Sequence, residues 1–395
     1  MSMNKDKRNS DSRIIGIFVL LMAVVVLLSG VSSNLWGGKP ETIPQPEEYV
    51  ISEGMTVEDF GEANNLQNPI LRQVFDLQTS TDLQNPLSDY GSPDEIQALT
   101  VSRIALAAEE ASKNWVKIAI KFAVWFAFLI SVFFIFKNRK VTRIARFTAL
   151  GISVLLFGIV LGSDPSPMGT VKDAIYLYAT TGAVFKQRLI ALFIFLLIVF
   201  LANKYICSWG CQAGVLQDLI YRLNQDPKRK SILGKQIKVP FLITNTVRVA
   251  FFAVFTVLAF GWGFELIEPI DLFKIYNPAH LTLIGILAVA VIYIASLFIY
   301  RPWCHFACPF GLVGWIVEKI SLVKISVDYD TCIACQQCAK ACPSTVMNAI
   351  LKREVTTIPD CFSCYTCRDV CPTNSIQFST RKRKIPPRGF FDKGK

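Results

Sequence analysis

Histidine is almost missing from this chain, with His280 and His305 the only two in 395 residues. They bracket one apolar stretch, and twenty-five residues of helix would hold them ~37 Å apart, so they cannot pair across one haem and no haem is expected. Cysteine is absent from the first 206 residues, which leaves the N-terminal half without a thiolate site. Residues 31–113 contain neither Cys nor His, nor a Ser/Asp-Gly-x-Thr flavin-attachment motif. Charge is scarce too: 18% of residues are charged against 52% hydrophobic. With a mean hydropathy of +0.41, the chain is too apolar for a soluble globule.

What is there instead is apolar sequence in long runs. Six stretches approach or meet the roughly 20 residues needed to cross a bilayer. They lie near 14–30, 115–136, 147–162, 188–206, 240–261 and 279–300. None contains a carboxylate, which weighs against a redox-coupled ion path. The net charge of +11 is gathered at alternate ends of these stretches. One cluster is Lys5, Lys7, Arg8 and Arg13; the next is Lys137, Arg139, Lys140, Arg143 and Arg146. Then come Arg222, Lys228, Arg229, Lys230, Lys235 and Lys238, and finally Arg381, Lys382, Arg383 and Lys384. Residues 31–113 are instead acidic, with Glu47, Glu48, Glu58, Asp59, Asp94 and Glu95. The positive-inside rule puts both termini in the cytoplasm and 31–113 outside, as in a multi-pass protein of the inner (cytoplasmic) membrane. That distribution accounts for the basic charge without a nucleic-acid partner. The first stretch reads as a retained anchor rather than a signal peptide, because Ser29-Gly30-Val31-Ser32-Ser33 is a poor cleavage site.

The expected fold is an α-helical integral membrane protein of about six transmembrane helices, joined to a C-terminal α+β domain. Residues 1–30 form the anchor and 31–114 an extracytoplasmic linker and small helical lobe. In that lobe Thr56 and Asp59 make a capping box ahead of a helix, and the segment reads as a docking or stabilising surface. Residues 115–322 are the membrane domain, 323–379 a cytoplasmic domain and 380–395 a basic tail. Short alternating runs at 323–327, 355–358 and 375–378 predict strands in the cytoplasmic domain. The membrane domain repeats itself: Tyr205–Gly214 aligns with Pro302–Gly311, each copy preceded by a helix hairpin and followed by an amphipathic stretch. A duplicated hairpin packed with pseudo-twofold symmetry would bring the two copies together.

The twelve cysteines carry the chemistry. Cys332-x2-Cys335-x2-Cys338-x3-Cys342-Pro343 recurs 29 residues later as Cys361-x2-Cys364-x2-Cys367-x3-Cys371-Pro372. In such runs three close thiolates take three corners of a cubane and the fourth reaches the other cluster. One [4Fe-4S] cluster is assigned to Cys332, Cys335, Cys338 and Cys371, and a second to Cys361, Cys364, Cys367 and Cys342. Zinc seldom needs this spacing twice, and a reducing compartment disfavours disulfides. The remaining four cysteines are Cys207, Cys211, Cys304 and Cys308. If each pair begins a helix, the i, i+4 spacing sets both sulfurs on one face, and two such faces could hold a third iron–sulfur cluster at the membrane edge. Redox-active dithiols and buried packing thiols remain open for this set. Lys204 and Arg301 stand where they could offset a cluster's negative charge. His280, at the outer end, is a candidate to hydrogen-bond a quinone, with Glu265, Glu268 and Asp271 close by either as proton acceptors or as a solvated loop. His305 either tunes the adjacent site or lies at an interface.

Taken together, the cysteine runs, the split Cys-x3-Cys pairs and the preceding apolar helices resemble the NapH/NosR/PceC-type polyferredoxin membrane proteins, over roughly residues 115–375. The resemblance implies electron transfer between membrane quinol or cytoplasmic donors and a redox partner, or electron supply to a maturing metalloenzyme. Two departures stand out: Gln212 occupies a position usually held by proline, and the flavin motif of the outer domain that some members carry is not found in these residues. The expected function is that of a membrane-bound electron-transfer subunit of an oxidoreductase complex, of the quinol dehydrogenase type, rather than a self-contained enzyme. Its partners would be the membrane, a quinone and other redox subunits, among them a flavin- or metal-bearing protein on either the extracytoplasmic or the cytoplasmic side, with the outer lobe as one docking surface. An accessory role in metalloenzyme maturation and a redox-coupled ion-transport role are the alternatives.

Overall fold

A computed structural model describes residues 2–36, 48–137, 141–224, 236–354, 358–380 and 383–391. The first helix, α1 (Ser2–Trp36), runs past both ends of the apolar stretch 14–30. The small helical lobe folds as α2 (Val57–Ala63), α3 (Asn68–Phe75) and α4 (Pro93–Ser112). Capping boxes open two of these helices, Thr56 with Asp59 and Ser92 with Glu95, satisfying N–H groups that the helix itself cannot. Val57, Phe60, Leu71, Val74 and Ile96 form a core of the lobe's own.

The helical bundle continues with α5 (Trp115–Lys137) and α6 (Arg143–Ser153), the latter extended by a π-helical stretch, Val154–Val160. Next come α7 (Pro167–Thr181), α8 (Lys186–Ala202), α9 (Tyr205–Trp209), α10 (Gln212–Leu223) and α11 (Phe241–Trp262). After 3-10 turns between Glu268 and His280 follow α12 (Leu283–Ala295), α13 (Pro302–Phe306) and α14 (Pro309–Glu318). Among the described residues four helical segments are long and apolar enough to cross a membrane: Asp11–Trp36, Trp115–Phe136, Arg143–Val160 and Phe241–Trp262.

The other two expected spans are shorter than their apolar sequence. At 188–206 the helix α8 has 17 residues and ends at Asn203, whose φ is 56°. At 279–300 the helix α12 has 13 residues, because 3-10 turns and a Thr282 cap delay its start. Each short helix leads into the same sequel, a five-residue helix, a break and a further helix, so the sequence duplication is also a structural one.

The loop bearing Glu265, Glu268 and Asp271 gathers its carboxylates around the buried Lys172. The Lys172 ammonium meets Asp173 at 2.8 Å and Glu268 at 3.0 Å, bonds Glu265, and has Asp271 4.0 Å away. Burial lifts the Asp271 carboxyl to about 6, whereas at Glu268 burial is outweighed by Lys172 and Lys274 and the carboxyl is held low. Arg188 of α8 pairs with Glu109 of α4, tying the lobe to the bundle, and Lys113 at the end of α4 pairs with the same carboxylate.

The C-terminal domain pairs β1 (Lys324–Val327) with β2 (Ile376–Ser379) antiparallel, Lys324 opposite Ser379 and Val327 opposite Ile376. Between them lie α15 (Gln337–Ala341), α16 (Val346–Leu351) and α17 (Thr366–Asp369). Of the strand expected at 355–358, residues 355–357 lie outside the described ones.

Candidate metal centres

The 29-residue repeat is written into the backbone as well as the cysteines. Ala334 and Ser363, Gln336 and Tyr365, and Thr345 and Asn374 are all left-handed, each pair one period apart. Left-handed residues in such loops turn successive N–H groups toward a common centre, a geometry that receives anions. The N–H of Ala334 faces the Cys332 sulfur, that of Met347 faces Cys342 and that of Ser363 faces Cys361. Ser375 N–H donates to Cys371 Sγ at 3.2 Å, and Thr366 Oγ1 lies 3.4 Å from Cys364 Sγ. The hydroxyls of Ser344 and Thr373 sit 3.8 and 3.7 Å from Cys342 and Cys371, again one period apart. None of the twelve cysteines forms a disulfide. Among the described residues no three His, Cys, Asp or Glu side chains converge closely enough to share one metal ion. Iron–sulfur cubanes ask for a different arrangement, one thiolate per iron corner and N–H donors for the sulfurs, and the ferredoxin loops fit it.

The two loops face different surroundings. Ile333, between Cys332 and Cys335, is 62% exposed, whereas its counterpart Phe362 is 2% exposed. Cys335 and Gln336 are exposed, while Tyr365 is buried. The second loop is covered by the helical bundle. Lys204 N–H donates to Cys361 O at 3.2 Å, Glu318 accepts from Cys361 N at 2.8 Å, and Trp209 Nε1 donates to Ser363 O at 3.3 Å. Arg146 bonds both Cys364 O and Asp369.

The bundle brings the split set together: Cys207 lies within electrostatic reach of Cys211, Cys304 and Cys308. The arrangement differs from the expected one in two respects. First, neither pair shares a helix face. Cys207 and Cys304 sit inside α9 and α13, while Cys211 and Cys308 are the extended N-caps of α10 and α14. The first helix ends at Gly210, where a side chain would strike the Trp125 indole. Second, the set lies level with the middle of α5 rather than with its end. Trp125 Nε1 donates to Gly210 O at 3.0 Å, and Trp125 is near the midpoint of α5. From Cys211, α10 runs ~18 Å and reaches Thr366 of the ferredoxin domain through Arg222. The helix α14 likewise runs from Cys308 to Glu318, beside Cys361.

The N-termini of α10 and α14 are aimed at the sulfurs. Ala213 and Gly214 direct N–H groups at Cys211, and Gly311 directs one at Cys308. A methyl on Gly214 would lie 2.8 Å from Cys207 O, and one on Gly311 would lie 2.6 Å from Cys304 O. Glycine at these aligned positions lets each cysteine's carbonyl pack against the next helix. Helix N-termini and oriented N–H groups favour anionic sulfur, so this donor set also fits a cluster. Gln212 occupies the first helical position that Pro309 holds in the second copy. Its side chain donates to Ser163 O at 2.9 Å, a contact proline could not make.

Lys204 and Arg301 are both buried and paired. Lys204 bonds Asp360 and donates to Gly311 O at 2.6 Å, while Arg301 meets Asp218 at 2.9 Å and bonds Cys207 O. Arg248 joins Asp360 at 2.9 Å and Gly311 O at 3.1 Å. Asp218, Arg248, Asp360 and Lys121 were not singled out from sequence, although a charge within an apolar run, as at Lys121 and Arg248, is itself a signal. Lys121 donates to the carbonyls of Gly162, Ser163 and Asp164 at 2.7, 3.2 and 3.1 Å and lies over the Trp125 ring.

His305 is an interface residue, its ring 5.3 Å from that of Phe362 and its Nδ1 3.0 Å from Arg301 O. His280 is exposed, on the rim of a polar cavity of 330 Å³ that also reaches Trp36, Asp164 and Lys172. An adjoining cavity of 320 Å³, walled by Ile118, Phe122, Phe185 and Ile194, shares Asp164 and Ser166 with it.

Residues 324–384 match a 4Fe-4S dicluster domain, and residues 188–237 and 281–327 each match a 4Fe-4S binding domain. These matches, with four helices among the described residues long and apolar enough to cross a membrane, support a polyferredoxin-like membrane protein. It is similar to YccM of Escherichia coli, a proposed electron transport protein, at 30% identity over 217 residues covering 53% of this chain and 60% of that one. It is also similar to MauN of Paracoccus denitrificans, a methylamine utilization ferredoxin-type protein, at 24% identity over 160 residues, or 39% of this chain and 53% of that one. An uncharacterized Methanocaldococcus jannaschii protein is 26% identical over 224 residues, 56% of this chain and 80% of that one. The polyferredoxin-like chain thus spans 60% of the length of its Escherichia coli relative. No solved structure matches it.

Proposed function

We propose that this protein carries single electrons between its ferredoxin domain and the far end of its helical bundle, as one subunit of a larger membrane redox complex. Two [4Fe-4S] clusters would be held by Cys332, Cys335, Cys338 and Cys371, and by Cys361, Cys364, Cys367 and Cys342. A third iron–sulfur centre would be held by Cys207, Cys211, Cys304 and Cys308. The clusters supply one-electron redox change; the protein's part is to hold them in order, exclude water and set the local charge. The observation that carries the reading is the burial of the second ferredoxin loop against α9, α10, α13 and α14, the elements that bear the split cysteines.

Beyond the split cysteines the same chain of contacts leads outward. Gln212, next to Cys211, bonds Ser163, and Ser163 precedes Asp164 in the wall of the two outer cavities. A quinone would suit the apolar cavity, with its ring near Asp164 and its tail among Phe122, Ile190 and Ile194. In that reading His280, on the rim of the polar neighbour, serves proton exchange rather than binding the ring.

Iron and sulfide quantification with EPR, on wild type and on Cys207→Ala/Cys304→Ala, tests the proposal. Loss of one signal of three, with the ferredoxin signals kept, is the expected result. An unchanged iron content, with a third signal absent from both proteins, would remove the bundle centre.

A further inference from the structure

The two ferredoxin loops are sequence equivalents with opposite surroundings: the helical bundle covers the second, while the first leaves Ile333, Cys335 and Gln336 exposed. Resting on the electron-transfer reading above, we propose that the loop Cys332–Cys338 and its basic rim are the docking face for a small, soluble, acidic one-electron carrier protein. Cys335 is the only exposed cysteine among the twelve, and Ile333 beside it is 62% exposed. An apolar contact at the point of closest approach, inside a charged rim, is the form that brief redox encounters take: small in area and steered by charge.

The rim selects the sign of the partner. Lys340 is exposed on α15, the helix that carries Cys338. The segment 383–391 lies against the same loop, through Gln336 Nε2 to Phe391 O at 3.5 Å and through Phe390 and Phe391 on Tyr329. It brings Lys384 and Arg388, both exposed. Residues 324–395 contain twelve Lys and Arg against six Asp and Glu. Two of those six, Asp360 and Asp369, are turned inward onto Lys204, Arg248 and Arg146, so they leave the outer charge uncancelled. Asp328 and Asp330 offset Lys384 in part, at 3.7 and 3.5 Å. The face that remains is basic, and an acidic carrier is its complement. Docked there, the carrier would exchange one electron with the nearer centre, one partner oxidised by one electron as the other is reduced by one, with no bond made or broken.

The test uses full-length protein in nanodiscs of zwitterionic lipid, with flavodoxin as the acidic probe and cytochrome c as a basic control. Binding of oxidised flavodoxin is measured by calorimetry, and reduction of the clusters by reduced flavodoxin is followed by stopped flow. The expected result is binding that weakens as salt is raised and an association rate that falls ~10-fold in Lys340→Glu/Arg388→Glu. Dithionite, which needs no docking face, should reduce wild type and variant equally. Flavodoxin binding unaffected by salt and by the variant would overturn the proposal, as would equal binding of cytochrome c. It is also overturned if the variant loses only its affinity for anionic lipid vesicles, which would make the face a membrane contact. Protein that binds flavodoxin but shows no dithionite-reducible iron would count against the electron-transfer reading and not against the docking face.

Discussion

Lys204 and Asp360 form an ion pair in which neither side chain retains any solvent exposure. Lys204 stands three residues before Cys207, and Asp360 immediately precedes Cys361, so one buried contact joins the cysteine-bearing break of the bundle to the second ferredoxin loop. Arg248 of α11 completes the arrangement by taking the other carboxylate oxygen of Asp360.

Removing that carboxylate leaves two buried cations without it. Asp360→Ala is expected to destabilise the docked ferredoxin domain by about 3–5 kcal/mol, the cost of breaking a buried pair. Thermal unfolding in detergent, with limited proteolysis between the two domains, measures it. A variant that unfolds and resists protease like wild type would show that the pair does not hold the domains together.

Gly214→Ala and Gly311→Ala each push a methyl into a cysteine carbonyl, at 2.8 and 2.6 Å. Each should reduce iron content by one cluster while both ferredoxin EPR signals persist. Iron analysis settles the matter, and a full complement of iron in both variants would mean that the close approach is dispensable.

Lys121 is a fully buried cation held by three carbonyls and lying over Trp125, which bonds the residue before Cys211. A positive charge so placed favours the reduced, more negative state of a centre at Cys211. Lys121→Met should therefore lower that centre's reduction potential by on the order of tens of millivolts, with Lys121→Arg close to wild type. An EPR-monitored redox titration reads the shift, and a potential that does not move denies Lys121 the role.

Asp271 has a folded value of about 6, raised by burial from 3.8, so the native state holds this proton more tightly than the unfolded chain does. Stability should then fall as pH rises from about 4 to about 6, by on the order of 3 kcal/mol from this group. Glu268 acts with the opposite sign, its contribution present at higher pH and lost on acidification through its lowered value. Asp271→Asn keeps the acceptor for Phe273 N–H and should unfold at a higher temperature than wild type at pH 7, with the difference shrinking toward pH 4. A difference that stays constant across that range would rule out Asp271 as its source.

Local chemistry was legible in the order of residues alone. The spacing Cys332, Cys335, Cys338, Cys342 and its copy one period on announce cubane ligands, because thiolate spacing along a short loop is a covalent property. Apolar runs announce membrane helices for the same reason, since burial in lipid demands them residue by residue. The duplication of Tyr205–Gly214 in Pro302–Gly311 was equally visible. What sequence could not decide was anything set by which surfaces meet. Nothing local distinguishes Ile333 from Phe362, yet one faces solvent and the other is covered by the bundle. The expected i, i+4 pairing of cysteines failed because Gly210 yields to Trp125, a residue eighty-five positions away, and the helix breaks there. The packing of the split set against the middle of α5, the inward turn of Asp360 and the burial of Lys172 among carboxylates are likewise long-range outcomes. Sequence determined which residues could bind iron and which could enter a membrane; only tertiary packing, through contacts between distant segments, decided which of the two ferredoxin loops faces the bundle and which faces out.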